Sequence, residues 1–176
     1  MSLCRKPIQY FVEGECEEKL INALKTGSNA KLVAGKVKVF NVIKNKISKY
    51  LLAQLKKDAI VILVYDTDIP ETEVLEKNIK ALREYGIKII YHVQSIKNFE
   101  GEILYSTQIN DINEFFASSK VEEFKNKFIN HRDILSKLKS ASFDADKLWS
   151  RSLTEGCFSK FDRGEAKAFI HMSKKR

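Results

Sequence analysis

Apolar positions along the chain follow two rhythms. Short continuous runs read as strands covered on both faces, and longer stretches with helical spacing separate them. Ile8–Val12 is the first apolar run and stops at Glu13-Gly14. Glu15 to Lys25 then places Leu20, Ile21 and Leu24 on one helical face, and Gly27-Ser28-Asn29 ends the helix. Val37–Val42 alternates into a second strand, and Ile43 to Lys57 shows helical spacing through Ile47, Leu51 and Leu55. The run from Ala59 to Tyr65 is unbroken and rich in β-branched residues, as a central parallel strand requires. It ends at Asp66-Thr67-Asp68. Pro70 precedes a helix over Glu71 to Tyr85, with Val74, Leu75, Ile79 and Leu82 inward and Gly86 as its stop. Lys88–Val93 completes a β-α-β-α-β-α-β order, which predicts an α/β fold: a parallel sheet flanked by helices with right-handed crossovers.

Beyond Val93 the rhythm changes. Ser95 to Thr107 reads as a loop leading into a short helix, and Ile112 to Ile129 as a helix packed through Phe115, Phe116, Phe124 and Phe128. Helical pieces over Ile134–Leu138 and Asp144–Trp149 precede a less regular, basic end. The expected organisation is an α/β domain over residues 1–107 and a mainly helical C-terminal extension over residues 108–176 packed on it.

Composition narrows the class. With 44% hydrophobic and 31% charged residues, a soluble globular protein is expected. No apolar run approaches the about 20 residues that span a bilayer, so no membrane partner is expected. The start of the chain lacks a signal-peptide cleavage pattern. Cys4, Cys16 and Cys157 are widely spaced and form no CxxC pair, which argues against a disulfide framework or zinc site and for a reducing, cytoplasmic setting. The net charge of +8 is uneven: residues 1–119 carry 17 basic and 15 acidic side chains, residues 120–176 carry 14 and 8. A basic end beside an acidic centre suits a polyanionic substrate held near a metal.

That acidic centre comes from strand ends. In an open parallel sheet, ligands bind beyond the carboxyl ends of the strands. Glu13 ends the first strand, and Asp66 and Asp68 end the third. If those strands are neighbours, their carboxylates meet at one mouth. Hard oxygen ligands without His or Cys favour Mg²⁺ or Mn²⁺ over zinc, and crowded carboxylates raise each other's pKa unless a cation joins them. Taken singly, Asp68 also fits a helix N-cap near Pro70, and Glu13 and Glu17 fit a complement to a helix dipole.

Tyr10-Phe11-Val12-Glu13-Gly14-Glu15-Cys16-Glu17 resembles the hydrophobic strand and EGxxE of Toprim domains. Val61 to Asp68 resembles their second strand with its DxD. The resemblance covers roughly residues 8–100 and adds a Toprim/Rossmann-like expectation to the fold. Toprim domains occur in topoisomerases, primases, ribosomal-RNA maturases and the OLD and RloB-like nucleases linked to phage defence. It implies that Glu13 is a general acid/base or metal ligand and that Asp66 and Asp68 hold Mg²⁺. Glu17 matches the second glutamate of EGxxE, which joins a two-metal site in OLD-type nucleases, and Glu100 or Glu102 would complete such a site. Asn98-Phe99-Glu100 is faintly similar to an acidic motif after the sheet in RloB-like proteins. The activity implied is metal-dependent hydrolysis of DNA or RNA. A lysine to neutralise phosphoryl charge is also expected, with Lys97 and Lys160 as candidates.

The sequence departs from the pattern in places. Ile69 and Pro70 stand where a third acid would follow Asp68, and there is neither a topoisomerase tyrosine domain nor a G-x-x-x-x-G-K-[ST] ATPase segment. A stand-alone Toprim nuclease fits better than a full OLD protein, as a homodimer or with a separate partner protein. Rival readings are a non-catalytic Toprim-like binding or regulatory protein, a DxD metal-dependent transferase and a haloacid-dehalogenase-type phosphatase. The last expects its DxD after the first strand. An EF-hand is excluded because Glu71 stands where the loop needs glycine.

Lys147, Trp149, Arg151, Lys160 and Arg163 interleave with Phe158 and Phe161 near the end, a pattern that grips phosphates and stacks bases or else packs the tail onto the core. Cys16 lies where a helix N-terminus lowers a thiol pKa, but no partner base accompanies it. His92, His131 and His171 pair with no nucleophile in the sequence, and His92 reads as a structural residue.

Overall fold

A computed structural model describes residues 6–28, 30–161 and 164–171. Four strands, β1 (Ile8–Val12), β2 (Lys36–Val39), β3 (Ile60–Asp66) and β4 (Ile89–Ser95), form one all-parallel sheet in the order β2-β1-β3-β4. The fold is therefore the expected α/β arrangement, a Rossmann-like parallel sheet flanked by helices. β1 and β3 are central neighbours, with Val12 opposite Val64 in register.

The pleat sends alternate residues to opposite faces. Tyr10, Val12, Ile60, Ile62 and Val64 face one core with α1 (Glu15–Leu24), α4 (Phe99–Ser106), α5 (Val121–Asn130), α6 (Ile134–Ser140) and α7 (Glu165–Ile170). Phe11, Val61, Leu63 and Tyr65 face the other, under α2 (Lys49–Ala53), α3 (Glu73–Tyr85) and Phe158. The first core contains Phe115, Phe124, Phe128, Leu148 and Trp149, so residues on both sides of position 107 build one continuous interior. Among the described residues, no helix is long and apolar enough to cross a membrane.

Several elements differ from the expected ones, each for a local reason. Helix was expected from Ile43, but it begins at Lys49. The Asn41 side chain accepts from the backbone N–H of Ile43 and of Lys44, both at 3.0 Å, and the Ser48 hydroxyl caps Leu51. Such side chain-to-backbone bonds compete with a helix. The expected helix over Ile112–Ile129 splits into a 3-10 turn (Ile112–Phe116) and α5, because Ala117 adopts a left-handed φ of +50°. The segment Asp144–Trp149 is a chain of turns, not a helix. Trp149 has φ +54° and donates its N–H to Glu102. Gly86 does stop α3, at φ +112°, a backbone region open chiefly to glycine.

Candidate functional site

The β1–β3 pairing brings the predicted acids to one mouth at the carboxyl ends of the strands. Asp66 continues the alternation of Ile62 and Val64, so it turns toward the α1 and α4 face of the sheet. Glu13, in the turn after β1, is held on both carboxylate oxygens. One accepts from Asn41 Nδ2 at 2.8 Å and the other from the backbone N–H of Asp66 at 3.1 Å. It thereby ties together the ends of β2, β1 and β3. Glu17 lies in the first turn of α1, is 4% exposed, and accepts from the Gly14 N–H at 3.1 Å.

Burial and mutual repulsion dominate the electrostatics. Burial raises the Glu17 carboxyl to about 7, with Glu13 adding to the rise. Asp66 is pushed up to about 8 by burial first, then by Glu17 and Glu13; Ser95 and the Phe99 backbone oppose the rise without cancelling it. Its Oδ1 is buried with no hydrogen-bond partner. Carboxylates kept this costly call for a cation or a proton.

Glu100, at the start of α4, is buried beside Lys125 of α5, whose Nζ lies 2.8 Å away, while its Oε2 has no donor. Lys125 also senses the charge of Asp66, which places both residues in one electrostatic cluster. Lys125 and Asn41 are the participants that sequence reasoning missed. Lys125 sits in an ordinary amphipathic helix, and nothing local distinguishes it from other exposed lysines.

The other candidates are distributed as follows. Asp68 is exposed in the turn beyond β3. Lys97 is exposed at the rim: its N–H donates to Thr67 Oγ1 at 3.1 Å and its carbonyl accepts from Thr67 N at 3.0 Å. It is held at φ +69°, a strained value for a residue other than glycine. Glu102 is fully buried and accepts from Ile96 N, Trp149 N and Arg151, which makes it structural in this arrangement.

Among the described residues, the expected aromatic and basic surface near the chain end is not assembled. Trp149 is 1% exposed and Phe158 3%, so neither ring offers a face to a base. The Arg151 guanidinium pairs with Glu102 at 2.7 Å and lies over the Tyr105 ring. Lys160 pairs with Glu76 of α3 at 2.5 Å, which removes it from the expected role beside the acids. Lys147 is exposed, and Arg163 lies outside the described residues, as do Lys174, Lys175 and Arg176. Cys16 is buried, and burial followed by the Glu17 charge pushes its thiol up to about 12, the reverse of activation. His92 bonds to the Tyr65 hydroxyl at 3.2 Å and stacks on Phe161, His131 packs on Phe116, and His171 contacts the Leu148 carbonyl.

The donor chemistry fits a hard divalent cation. Carboxylates gather at the mouth, and the buried Asp66 Oδ1 and Glu100 Oε2 have no hydrogen-bond partner. Among the described residues, no three His, Cys, Asp or Glu side chains form a ready-made cage. Mg²⁺ commonly binds through one or two carboxylates, with waters and substrate phosphates completing its shell. Comparison with protein-family models, curated proteins and solved structures gives no match for this chain.

Proposed function

We propose that this chain is a divalent-metal-dependent enzyme that hydrolyses phosphodiesters of nucleic acid, in a cytoplasmic setting. The observation that carries the reading is the meeting of Glu13 and Asp66 at the ends of adjacent parallel strands with Glu17 from the first turn of α1, Asp66 Oδ1 being buried and unpartnered. Glu13, Glu17, Asp66 and Asp68 are the residues that would hold Mg²⁺ or Mn²⁺, as the likeness to Toprim EGxxE and DxD motifs also implies. The bound ion would polarise a phosphoryl oxygen and lower the pKa of an attacking water. The rest belongs to the chain. Asn41 and the Asp66 N–H fix the orientation of Glu13. Glu17, buried in the first turn of α1 and bonded to the Gly14 N–H, presents its carboxylate beside Glu13. Lys97, pinned to Thr67, sets a positive charge at the rim for the phosphate.

A cleavage assay tests this directly. Labelled single- and double-stranded DNA and RNA are incubated with wild type and with a folded Asp66→Asn variant, in Mg²⁺, Mn²⁺ or EDTA. Metal-dependent cleavage that falls at least about a hundredfold in the variant is expected, the scale of losing one electrostatic catalytic group. No cleavage of any substrate, or equal cleavage in EDTA, removes the reading.

The Lys125–Glu100 ion pair favours a second reading. A resident ammonium offsets part of the negative charge without any metal, as suits a non-catalytic nucleic-acid-binding or regulatory protein. Calorimetry with Mg²⁺ separates the two: heat of binding that Asp66→Asn abolishes belongs to the enzyme.

A further inference from the structure

Between Glu18 and Asp58 the chain contains ten lysines and not one acidic residue. The fold divides these lysines into groups. Lys25 donates to the Gly35 carbonyl, and Lys38 to the Gln54 side chain. Lys56 and Lys57 precede β3, at the end of the sheet away from the acids. Lys44, Lys46 and Lys49 are different: they follow β2, beside the mouth, and all three are exposed. Among the described residues none of the three forms an ion pair. Lys46 does lie near Glu73, but that carboxylate is held down chiefly by its own Lys77. Next to Lys49 stands Tyr50, whose 77% exposure is the greatest of the exposed large hydrophobic residues.

This loop is also tied to the site. Asn41 donates to Glu13 while accepting from the backbone of Ile43 and Lys44. From α3, the buried Asn78 accepts from Ile47 N at 2.8 Å and donates to the Val42 and Asn45 carbonyls at 2.9 and 2.7 Å. The positive side chains thus project from backbone that is bonded to both the acid cluster and the core. Preorganisation of this kind lowers the entropic cost of gripping a ligand.

We propose that Lys44, Lys46, Lys49 and Tyr50 form a binding surface for single-stranded nucleic acid that leads into the Glu13–Asp66 mouth. The lysines take the phosphates and the Tyr50 ring stacks on an unpaired base, a combination that tracks a single strand without reading its sequence. The base faces of a duplex are already stacked, so this surface favours single strands. As a path to a reaction site, the proposal rests on the hydrolytic reading given above; as a binding surface it stands without it.

Fluorescence anisotropy with a labelled single-stranded oligonucleotide, in EDTA, tests the surface on the full chain. The Lys44→Gln/Lys46→Gln/Lys49→Gln variant is expected to bind more weakly. Its log-affinity against log-salt slope should be shallower by about 2, since each phosphate contact on a single strand contributes about 0.7. Tyr50→Ala is expected to weaken binding by about five- to a hundredfold. Lys56→Gln/Lys57→Gln should bind within about twofold of wild type, and duplex should bind more weakly than single strand. Circular dichroism verifies that each variant is folded. An unchanged affinity and salt slope in the folded triple variant overturns the proposal, as does a wild type that binds no oligonucleotide. A Tyr50→Ala effect of zero with equal duplex binding overturns its single-strand preference. The two readings fail separately: if wild type binds through these lysines but cleaves nothing, the surface survives and the enzyme does not. If Asp66→Asn abolishes cleavage while the lysine variant changes neither binding nor cleavage, the enzyme survives and the surface does not.

Discussion

Asp66 ends a strand whose six preceding residues are all buried, and its carboxyl shares the mouth with Glu13 and Glu17. Folding raises the Asp66 pKa from 3.8 to about 8 and the Glu17 pKa from 4.5 to about 7. The sign of the consequence follows from proton counting. Between pH 4 and 8 the native state keeps protons that the unfolded state has released, so stability falls as pH rises through that window. Below about pH 4 both states are protonated and these groups contribute nothing further. In EDTA, the thermal midpoint is therefore expected to be higher at pH 5 than at pH 8. Asp66→Asn should flatten that fall and gain on the order of a few kcal/mol at pH 8. Thermal melts across the pH range check it; an equally steep fall in the variant would show that Asp66 is not the group responsible. Glu13, Asp66 and Glu17 were legible from sequence because strand ends and motif spacing put them there. Lys125 was not, since its nearness to Glu100 and Asp66 depends on how a helix 59 positions beyond Asp66 packs across the sheet.

Elements were legible where one residue set their limits and illegible where long-range bonds did. The Pro70 and Gly86 signals framed α3 to within two residues of Glu71–Tyr85. Before Lys49 the local Asn41 bonds that displace the helix are joined by Asn78 of α3, and the turns over Asp144–Trp149 are held by Glu102; Asn78 and Glu102 come from distant elements and leave no periodic trace. Dividing the chain into a balanced front and a basic end also hid the lysine run, because glutamates before it and acids after it cancel in the sum. Glu102 shows what such bonds are worth. This α4 carboxylate is fully buried, and Ile96 N, Trp149 N and Arg151 all donate to it, so one side chain fastens the end of β4 and the C-terminal strap. Removing it leaves the two backbone donors and the Arg151 charge without their acceptor. Glu102→Ala is expected to cost about 3–5 kcal/mol in urea unfolding, the scale for breaking a buried ion pair from one side. A loss below about 1 kcal/mol would show that water replaces the carboxylate. Because Glu102 is spent on this structural role, the same variant, under conditions where it is folded, should retain Mg²⁺ affinity.

At the scale of the whole molecule, the division at residue 107 marks a change of rhythm but not a change of core. The sheet face bearing Tyr10, Val12, Ile62 and Val64 is covered in part by Phe115, Phe124, Phe128 and Trp149, all contributed after that position. Ending the chain at 107 strips these rings away and opens the α1 and α4 side to water. Each large buried side chain is worth about 1.5–3 kcal/mol, so these four alone represent on the order of 10 kcal/mol. That matches the entire stability of an ordinary domain, about 5–15 kcal/mol. The fragment 1–107 is therefore expected not to fold, although it contains the complete sheet and the acids Glu13, Glu17, Asp66 and Asp68. The full chain should unfold in one cooperative transition that takes both halves together. Near-ultraviolet circular dichroism and amide dispersion of the fragment check the first expectation, and coincidence of fluorescence and far-ultraviolet melts of the full chain checks the second. Trp149 is the natural probe, being the single tryptophan and buried against the sheet face that carries Asp66. A folded fragment, or a Trp149 transition that precedes the loss of secondary structure, would mean that the C-terminal third docks onto an independently stable sheet. The acid cluster would then persist with its α1 and α4 side open to water, and because burial is the largest cause of the raised Asp66 and Glu17 pKa values, the metal-free fragment should show a shallower loss of stability toward pH 8 than the full chain.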